Sequence, residues 1–135
     1  TIALLHKKNL LSSEGWFVDT KLIKKLSPVF EYIDQNYSEH LSLEFLADIL
    51  YLNKDYFCKL FKKATGGTVM DYINFVRICK SEELLKTDIS ICDIATRVGF
   101  SSLSYFNRIF KKYKHCSPTV YKKIYMVPDT LRQDK

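Results

Sequence analysis

Apolar residues recur at steps of three and four along most of the chain, which is the period of an α-helix lying on a core. With only four glycines and three prolines in 135 residues to interrupt it, the pattern predicts an all-α fold. Seven helices are expected, at 28–37, 43–50, 54–64, 69–86, 91–98, 102–113 and 118–124. Polar residues mark their starts. Ser27-Pro28 reads as an N-cap followed by proline at the first helical position, and Ser117-Pro118 reads the same way. Ser42 precedes the apolar run LEFLADIL, Asn53 precedes the third helix, and Ser101 or Ser102 the sixth. Thr68 with Asp71, and Ser90 with Asp93, resemble capping boxes with Asp in place of Glu. Gly66-Gly67 and Gly99 mark turns. Residues before Asp19 show no clear period, and Asp19 to Leu26 is a candidate for one more short helix. The polar stretch after Val127, with Pro128 in it, is expected to fray.

Two segments of this pattern are copies of one another. YFCKLFKK at Tyr56–Lys63 returns as YFNRIFKK at Tyr105–Lys112, identical at five of eight positions. Ahead of each copy lies a matching apolar segment, Leu43–Leu50 and Ile91–Val98. There Ala47 pairs with Ala95 at an offset of 48, whereas the copies themselves are 49 apart, so the second carries one extra residue in its turn. A short apolar helix, a turn of about three residues and a longer basic helix make the helix-turn-helix pattern. A sequence that contains it twice points to two copies of one binding unit. The first turn has Tyr51 where the second has Gly99, which readily takes the positive φ of a tight helix–helix turn.

Composition sharpens this. The chain suits one domain, or two small ones sharing a helix. Its hydrophobic fraction of 47% is enough for a core. No apolar run nears the ~18 residues of a membrane helix, and Ile2–Leu5 is too short for a signal-peptide core. The net charge of +6 is unevenly placed: Thr1–His40 holds five lysines and five acids, so the excess lies in the repeated region. Arg108–Lys114 has four basic residues and no acid. Such clusters fit a polyanion, and the bland alternative is a solvated lysine-rich face. The four cysteines form no CxxC pair or zinc spacing, Cys79 and Cys92 fall on apolar faces, and a reducing cytoplasm is expected. His115-Cys116 lacks a recognisable third ligand or base, so no metal, cofactor or catalytic residue is assigned.

The second copy divides cleanly into faces. Tyr105, Phe106, Ile109, Phe110 and Tyr113 form an apolar stripe at helical spacing, which reads as core. Leu103, Ser104, Asn107, Arg108 and Lys111 fall on the other side, starting at the end that a recognition helix pushes into the major groove. Arg108 suits guanine O6 and N7, Asn107 suits adenine, and Leu103 suits a thymine methyl. The equivalent face of the first copy is Asp55, Cys58, Lys59 and Lys62. Lys59 suits guanine or a phosphate. Asp55 is either an acceptor from cytosine N4 or an acid complementing the helix macrodipole. Cys58 is a weak hydrogen-bonding group. Lys54, Lys62, Lys63, Lys111, Lys112 and Lys114 are expected on phosphates, which position a protein without reading sequence.

From Val29 to Lys123 the chain resembles the AraC/XylS family of bacterial transcription regulators. The most specific stretch is SICDIATRVGFSSLSYFNRIFKKYKHCSPTVYKK, with its IA, VGF, SYF, FKK, SP and Tyr121. LEFLA, YFCKLFKKATG and Tyr72 carry the match in the first half. The resemblance implies two helix-turn-helix units joined by a long helix, here Thr68–Lys86, ~27 Å long. Such a spacer can set two recognition helices ~34 Å apart in successive major grooves. It implies that Asp55, Cys58 and Lys59 face bases from the first unit, and Leu103, Ser104, Asn107 and Arg108 from the second. The implied partners are double-stranded DNA and RNA polymerase, with any effector acting through a separate preceding domain. His115 departs from the family, which usually has glycine there. The DNA-binding domain is expected over 28–126. Residues 1–27, with Trp16 and Phe17, are read as a linker or the end of a missing effector or dimerisation domain, since Thr1 is not an initiator methionine. Residues 127–135 are read as a tail. Two other functions remain open: a DNA-tethering module of a repair enzyme, and a helical protein-interaction module whose lysines only solubilise it.

Overall fold

A computed structural model of the chain describes residues 20–125, which hold seven helices and no strand. They are α1 (Thr20–Asn36), α2 (Leu43–Ile49), α3 (Lys54–Thr65), α4 (Val69–Leu85), α5 (Ile91–Val98), α6 (Leu103–Lys114) and α7 (Pro118–Tyr125). The expected segment around Trp16 and Phe17 and the tail from 127 lie outside the described residues. None of the described helices is long and apolar enough to cross a membrane. The molecule divides into two compact units, with the boundary between Val76 and Arg77 inside α4.

One expected boundary is corrected. The first helix does not start at Pro28; it starts at Thr20 and runs through Pro28 without a break. Proline inside a helix removes one hydrogen bond and crowds the carbonyl four residues back, at a cost of about 3 kcal/mol. The burial of Ile23, Leu26, Val29, Phe30 and Ile33, each at 3% exposure or less, outweighs this at ~1.5–3 kcal/mol per side chain. Pro28 itself stays exposed, away from that face.

In the first unit α1 and α2 pack on α3. Phe30 from α1 lies 5.4 Å from Phe61 of α3 and meets Tyr72 edge-on at 4.9 Å. In the second unit α5 and α7 pack on α6. There Phe106 lies 5.2 Å from Phe100, and Phe110 meets Tyr121 at 5.4 Å and 83°. Phe57 and Phe61, and their copies Phe106 and Phe110, are all fully buried. The stripe of each repeated helix is therefore core at its phenylalanines, whereas Tyr105, Ile109 and Tyr113 are half-buried and Tyr56 is exposed. α4 departs from a one-sided pattern, because every residue from Tyr72 to Ile78 is buried. A helix buried on all sides carries no amphipathic signature.

The two turns are built alike. The Tyr51 N–H donates to the Asp48 carbonyl at 3.0 Å and the Leu52 N–H to Ala47 at 3.1 Å. In the second unit Gly99 donates to Thr96 at 3.1 Å and Phe100 to Ala95 at 2.9 Å. Both turn residues are left-handed, Tyr51 at φ 57° and Gly99 at φ 106°. Tyrosine thus adopts the conformation that glycine supplies in the copy. The same exchange occurs after the longer helices, where Gly66 at φ 84° corresponds to His115 at φ 63°. Asn53 caps α3 by accepting from the Tyr56 N–H, and Ser102 caps α6 by accepting from Tyr105. The extra residue of the second turn is therefore Ser101.

A left-handed non-glycine residue costs ~1–2 kcal/mol, while glycine costs the unfolded chain ~0.4–1 kcal/mol more entropy. Tyr51 is 97% exposed and loses no packing on replacement. Tyr51→Gly is therefore expected to stabilise the protein by ~0.5–1 kcal/mol. His115→Gly should act in the same direction. Urea denaturation followed by circular dichroism measures both. A loss of stability in Tyr51→Gly would show that the phenol makes contacts that outweigh the backbone strain.

Candidate nucleic-acid interface

The exposed sides of α3 and α6 form the candidate surface. On α6 the Ser102 cap fixes the helix start and the buried Phe106 and Phe110 fix its rotation. Leu103, Ser104, Asn107, Arg108, Lys111 and Lys112 are then all exposed, as their spacing predicts. Leu103 keeps 40% of its surface in water, beside the polar residues of the same face. The Arg108 guanidinium lies 5.1 Å from the centre of the Tyr105 ring, one turn before it. This contact restrains a long side chain at the place where its planar fork would be used. Lys112 lies over Tyr113 at 5.6 Å.

On α3 the placement is less uniform. Asp55, Lys59, Lys62 and Lys63 are exposed, and Cys58 is half-buried. Asn53, Lys54, Asp55, Tyr56 and Lys59 surround a shallow hollow at the start of the helix. Cys58 lines a different hollow, of about 340 Å³, with Leu43, Val69 and Met70. Asp55 lies in the first turn of α3, where an acid complements the helix dipole. Lys54 pairs with Glu44 at 3.5 Å, with both side chains largely exposed. An ion pair in that setting is worth little and leaves the lysine available.

Two lysines of the second unit turn inward, one of them expected on the basic surface. Lys114 was expected on a phosphate, but its Nζ lies 2.7 Å from Glu82 Oε1 and its side chain is only 24% exposed. Its charge is met within the protein. Lys122 donates to the carbonyls of Thr87 at 2.6 Å and Ile89 at 2.8 Å, holding the α4–α5 connection. Cys92, expected on an apolar face, is exposed.

The structure adds two carboxylates, Asp34 and Glu82, as partners of Tyr72 and Tyr121. The Tyr72 hydroxyl donates to Asp34 Oδ1 at 3.0 Å, and the Tyr121 hydroxyl donates to Glu82 Oε2 at 2.9 Å. Asp34 and Glu82 stand 48 positions apart, as Ala47 and Ala95 do. The repeat therefore reaches back into α1 and α4. Burial raises the Tyr121 pKa, and its hydrogen bond to Glu82 raises it further. Because the folded value is raised, this contribution to stability is complete below the ordinary value of 10.0 and is lost as pH rises beyond it. Burial also lowers the pKa of Arg77, whose guanidinium lies 5.9 Å from the Phe100 ring.

Known proteins resemble this chain in sequence and fold. Residues 46–124 match the family described as a helix-turn-helix domain. AdaA of Bacillus subtilis, a bifunctional transcriptional activator and DNA repair enzyme, is 35% identical over 108 residues, covering 79% of this chain and 51% of AdaA. The chain thus spans about half the length of that relative. Among solved structures, the C-terminal domain of AraT, a response regulator from Geobacillus stearothermophilus, superposes with a TM-score of 0.72 at 29% identity, covering 82% of this chain and 93% of that one. The DNA-binding domain of AdpA, a global transcriptional factor solved with a target DNA, gives 0.70 at 25% identity, covering 82% and 97%. Two capped helix-turn-helix units with matching turns, cores and exposed helix faces place this chain in the AraC-type helix-turn-helix family of DNA-binding domains.

Proposed function

We propose that the chain is the DNA-binding part of a bacterial transcription regulator that reads double-stranded DNA with α3 and α6 in successive major grooves. The observation that carries this is the face of α6. Ser104, Asn107, Arg108 and Lys111 lie exposed opposite the buried Phe106 and Phe110, and α3 repeats the plan except at Cys58, which is half-buried. The paired hydrogen-bonding groups of Asn107 and Arg108 suit adenine and guanine edges. Leu103 suits a thymine methyl. On α3, Lys59 is the strongest candidate for a base, with Asp55 and Cys58 beside it. Lys54, Lys62, Lys63, Lys111 and Lys112 suit phosphates, which set register and affinity. The domain does no chemistry of its own in this reading. Any effector acts through a domain outside this chain, RNA polymerase is the downstream partner, and the protein works in the cytoplasm. The functional domain is taken as residues 28–126 together with the start of α1, whose Ile23 and Leu26 belong to its core.

Selection of bound duplexes from a random pool tests the reading, since a sequence-reading protein enriches one motif and an electrostatic binder enriches none. Lys112→Ala is expected to weaken selected and random DNA alike, and to reduce the slope of log affinity against log salt by ~1. An unchanged slope would remove Lys112 from the phosphate contacts. A second reading, a DNA-tethering module of a repair enzyme, is favoured by the similarity to AdaA. A reactive cysteine motif or four-cysteine zinc cluster elsewhere in the full-length protein would decide for it.

A further inference from the structure

Lys114 and Tyr121 meet on one carboxylate. Glu82 Oε1 forms an ion pair with Lys114 Nζ at 2.7 Å, without hydrogen-bond alignment, and Oε2 accepts from the Tyr121 hydroxyl at 2.9 Å. The Glu82 side chain is 13% exposed, so the pair is largely withdrawn from bulk water and its attraction is weakly screened by salt. Glu82 belongs to α4, Lys114 is the last residue of α6, and Tyr121 belongs to α7. One side chain therefore ties three helices, with a separate oxygen for each partner. The first unit is built differently. Asp34 accepts from Tyr72, but Thr65 stands at the position of Lys114 and its hydroxyl donates to the Phe61 carbonyl of its own helix.

The tether sits at the far end of α6 from the base-facing residues. A swing of roughly 10° about Lys114 would displace Ser104, ~15 Å up the helix, by ~2.6 Å. That exceeds the ~0.5 Å spread of ordinary N–H···O distances, so contacts to base edges would be lost. Contacts to phosphates from long lysines would survive by adjusting the side chain. We propose that Glu82 is a positioning residue for sequence reading by α6, and that Lys114 is its tether and not a phosphate contact. This rests on the reading of α6 as a recognition helix.

The test compares the chain with its Lys114→Met, Glu82→Gln and double variants on DNA selected from the random pool and on a random duplex, across a salt series. Each single variant is expected to lose about tenfold on the selected DNA, and the double variant no more than either, because the two residues act as one unit. Affinity for random DNA should not fall, and in Lys114→Met the salt slope should not change. Equal losses by Lys114→Met on both DNAs, with the slope lower by ~1, would make Lys114 a phosphate contact and overturn the proposal. Arg108→Ala is measured alongside. If it loses the preference for selected DNA while both tether variants keep it, the tether is wrong and the recognition reading stands. If Arg108→Ala weakens both DNAs alike, the recognition reading fails and takes the proposal with it. Circular dichroism confirms folding. Lys114→Met, which keeps the side-chain stem at a partly exposed position, remains informative if Glu82→Gln unfolds.

Discussion

Replacing Phe110 by alanine is expected to destabilise the protein by ~3–5 kcal/mol, the usual cost of truncating a fully buried phenylalanine. Phe110 has no exposed surface and lies between the rings of Phe106 at 5.7 Å and Tyr121 at 5.4 Å. The truncation removes the transfer free energy of the ring and leaves a cavity walled by two stiff aromatics that cannot easily close on it. Phe61→Ala should cost a similar amount in the first unit, because Phe61 is equally buried and is ringed by Phe30, Phe57 and Tyr72. Losses of this size are a large part of the stability of a small domain. Urea denaturation followed by far-ultraviolet circular dichroism reads them directly. A cost below ~1 kcal/mol for Phe110→Ala would mean that the site collapses, and that the stripe does not hold α6 as described.

Arg108→Ala is expected to weaken binding to the selected DNA by ~1–3 kcal/mol and to relax the preference at a single base pair. The guanidinium offers two parallel donors that match guanine O6 and N7, and its contact with Tyr105 reduces the freedom lost on binding. Arg108→Lys separates charge from geometry. Lysine keeps the charge and the affinity for random DNA but lacks the planar fork, so the base preference should still relax. Binding to the selected duplex and to each single-base variant around the expected guanine measures both effects. Losses of equal size on selected and random DNA would remove Arg108 from the base-reading residues.

Much of the fold was legible because its determinants are local. A serine or asparagine cap acts on an N–H three residues on, and an apolar stripe recurs every three or four. Hence Ser42, Asn53, Ser90 and Ser102 announced their helices, and Phe106 and Phe110 announced the buried side of α6. The reciprocal cap between Thr68 and Asp71, with two bonds of 3.0 Å, was readable for the same reason. Pro28 misled because local proline rules predict a helix start, whereas the burial of Ile23 and Leu26 beneath it decides otherwise. Part of the candidate interface was legible too, since the face opposite a buried stripe is exposed wherever nothing else covers it.

The sequence by itself determined every helix start and cap but those of α1, the duplication and the polar face of α6, all through interactions within about one helical turn. Only the tertiary structure decided which charges remain for a partner. Lys111, Lys112 and Lys114 look alike along the chain, yet Lys114 turns to Glu82, 32 positions earlier on another helix. The phenols of Tyr72 and Tyr121 reach carboxylates 38 and 39 residues away, and no local pattern records such a partner. The left-handed backbone of Tyr51 and His115, by contrast, was marked in the sequence by glycine at the matching place, in the second turn for Tyr51 and in the family for His115. Packing sets the partners of Lys114, Tyr72 and Tyr121, because a helix docked by its aromatic stripe carries its remaining side chains to places that their own sequence neighbours do not specify.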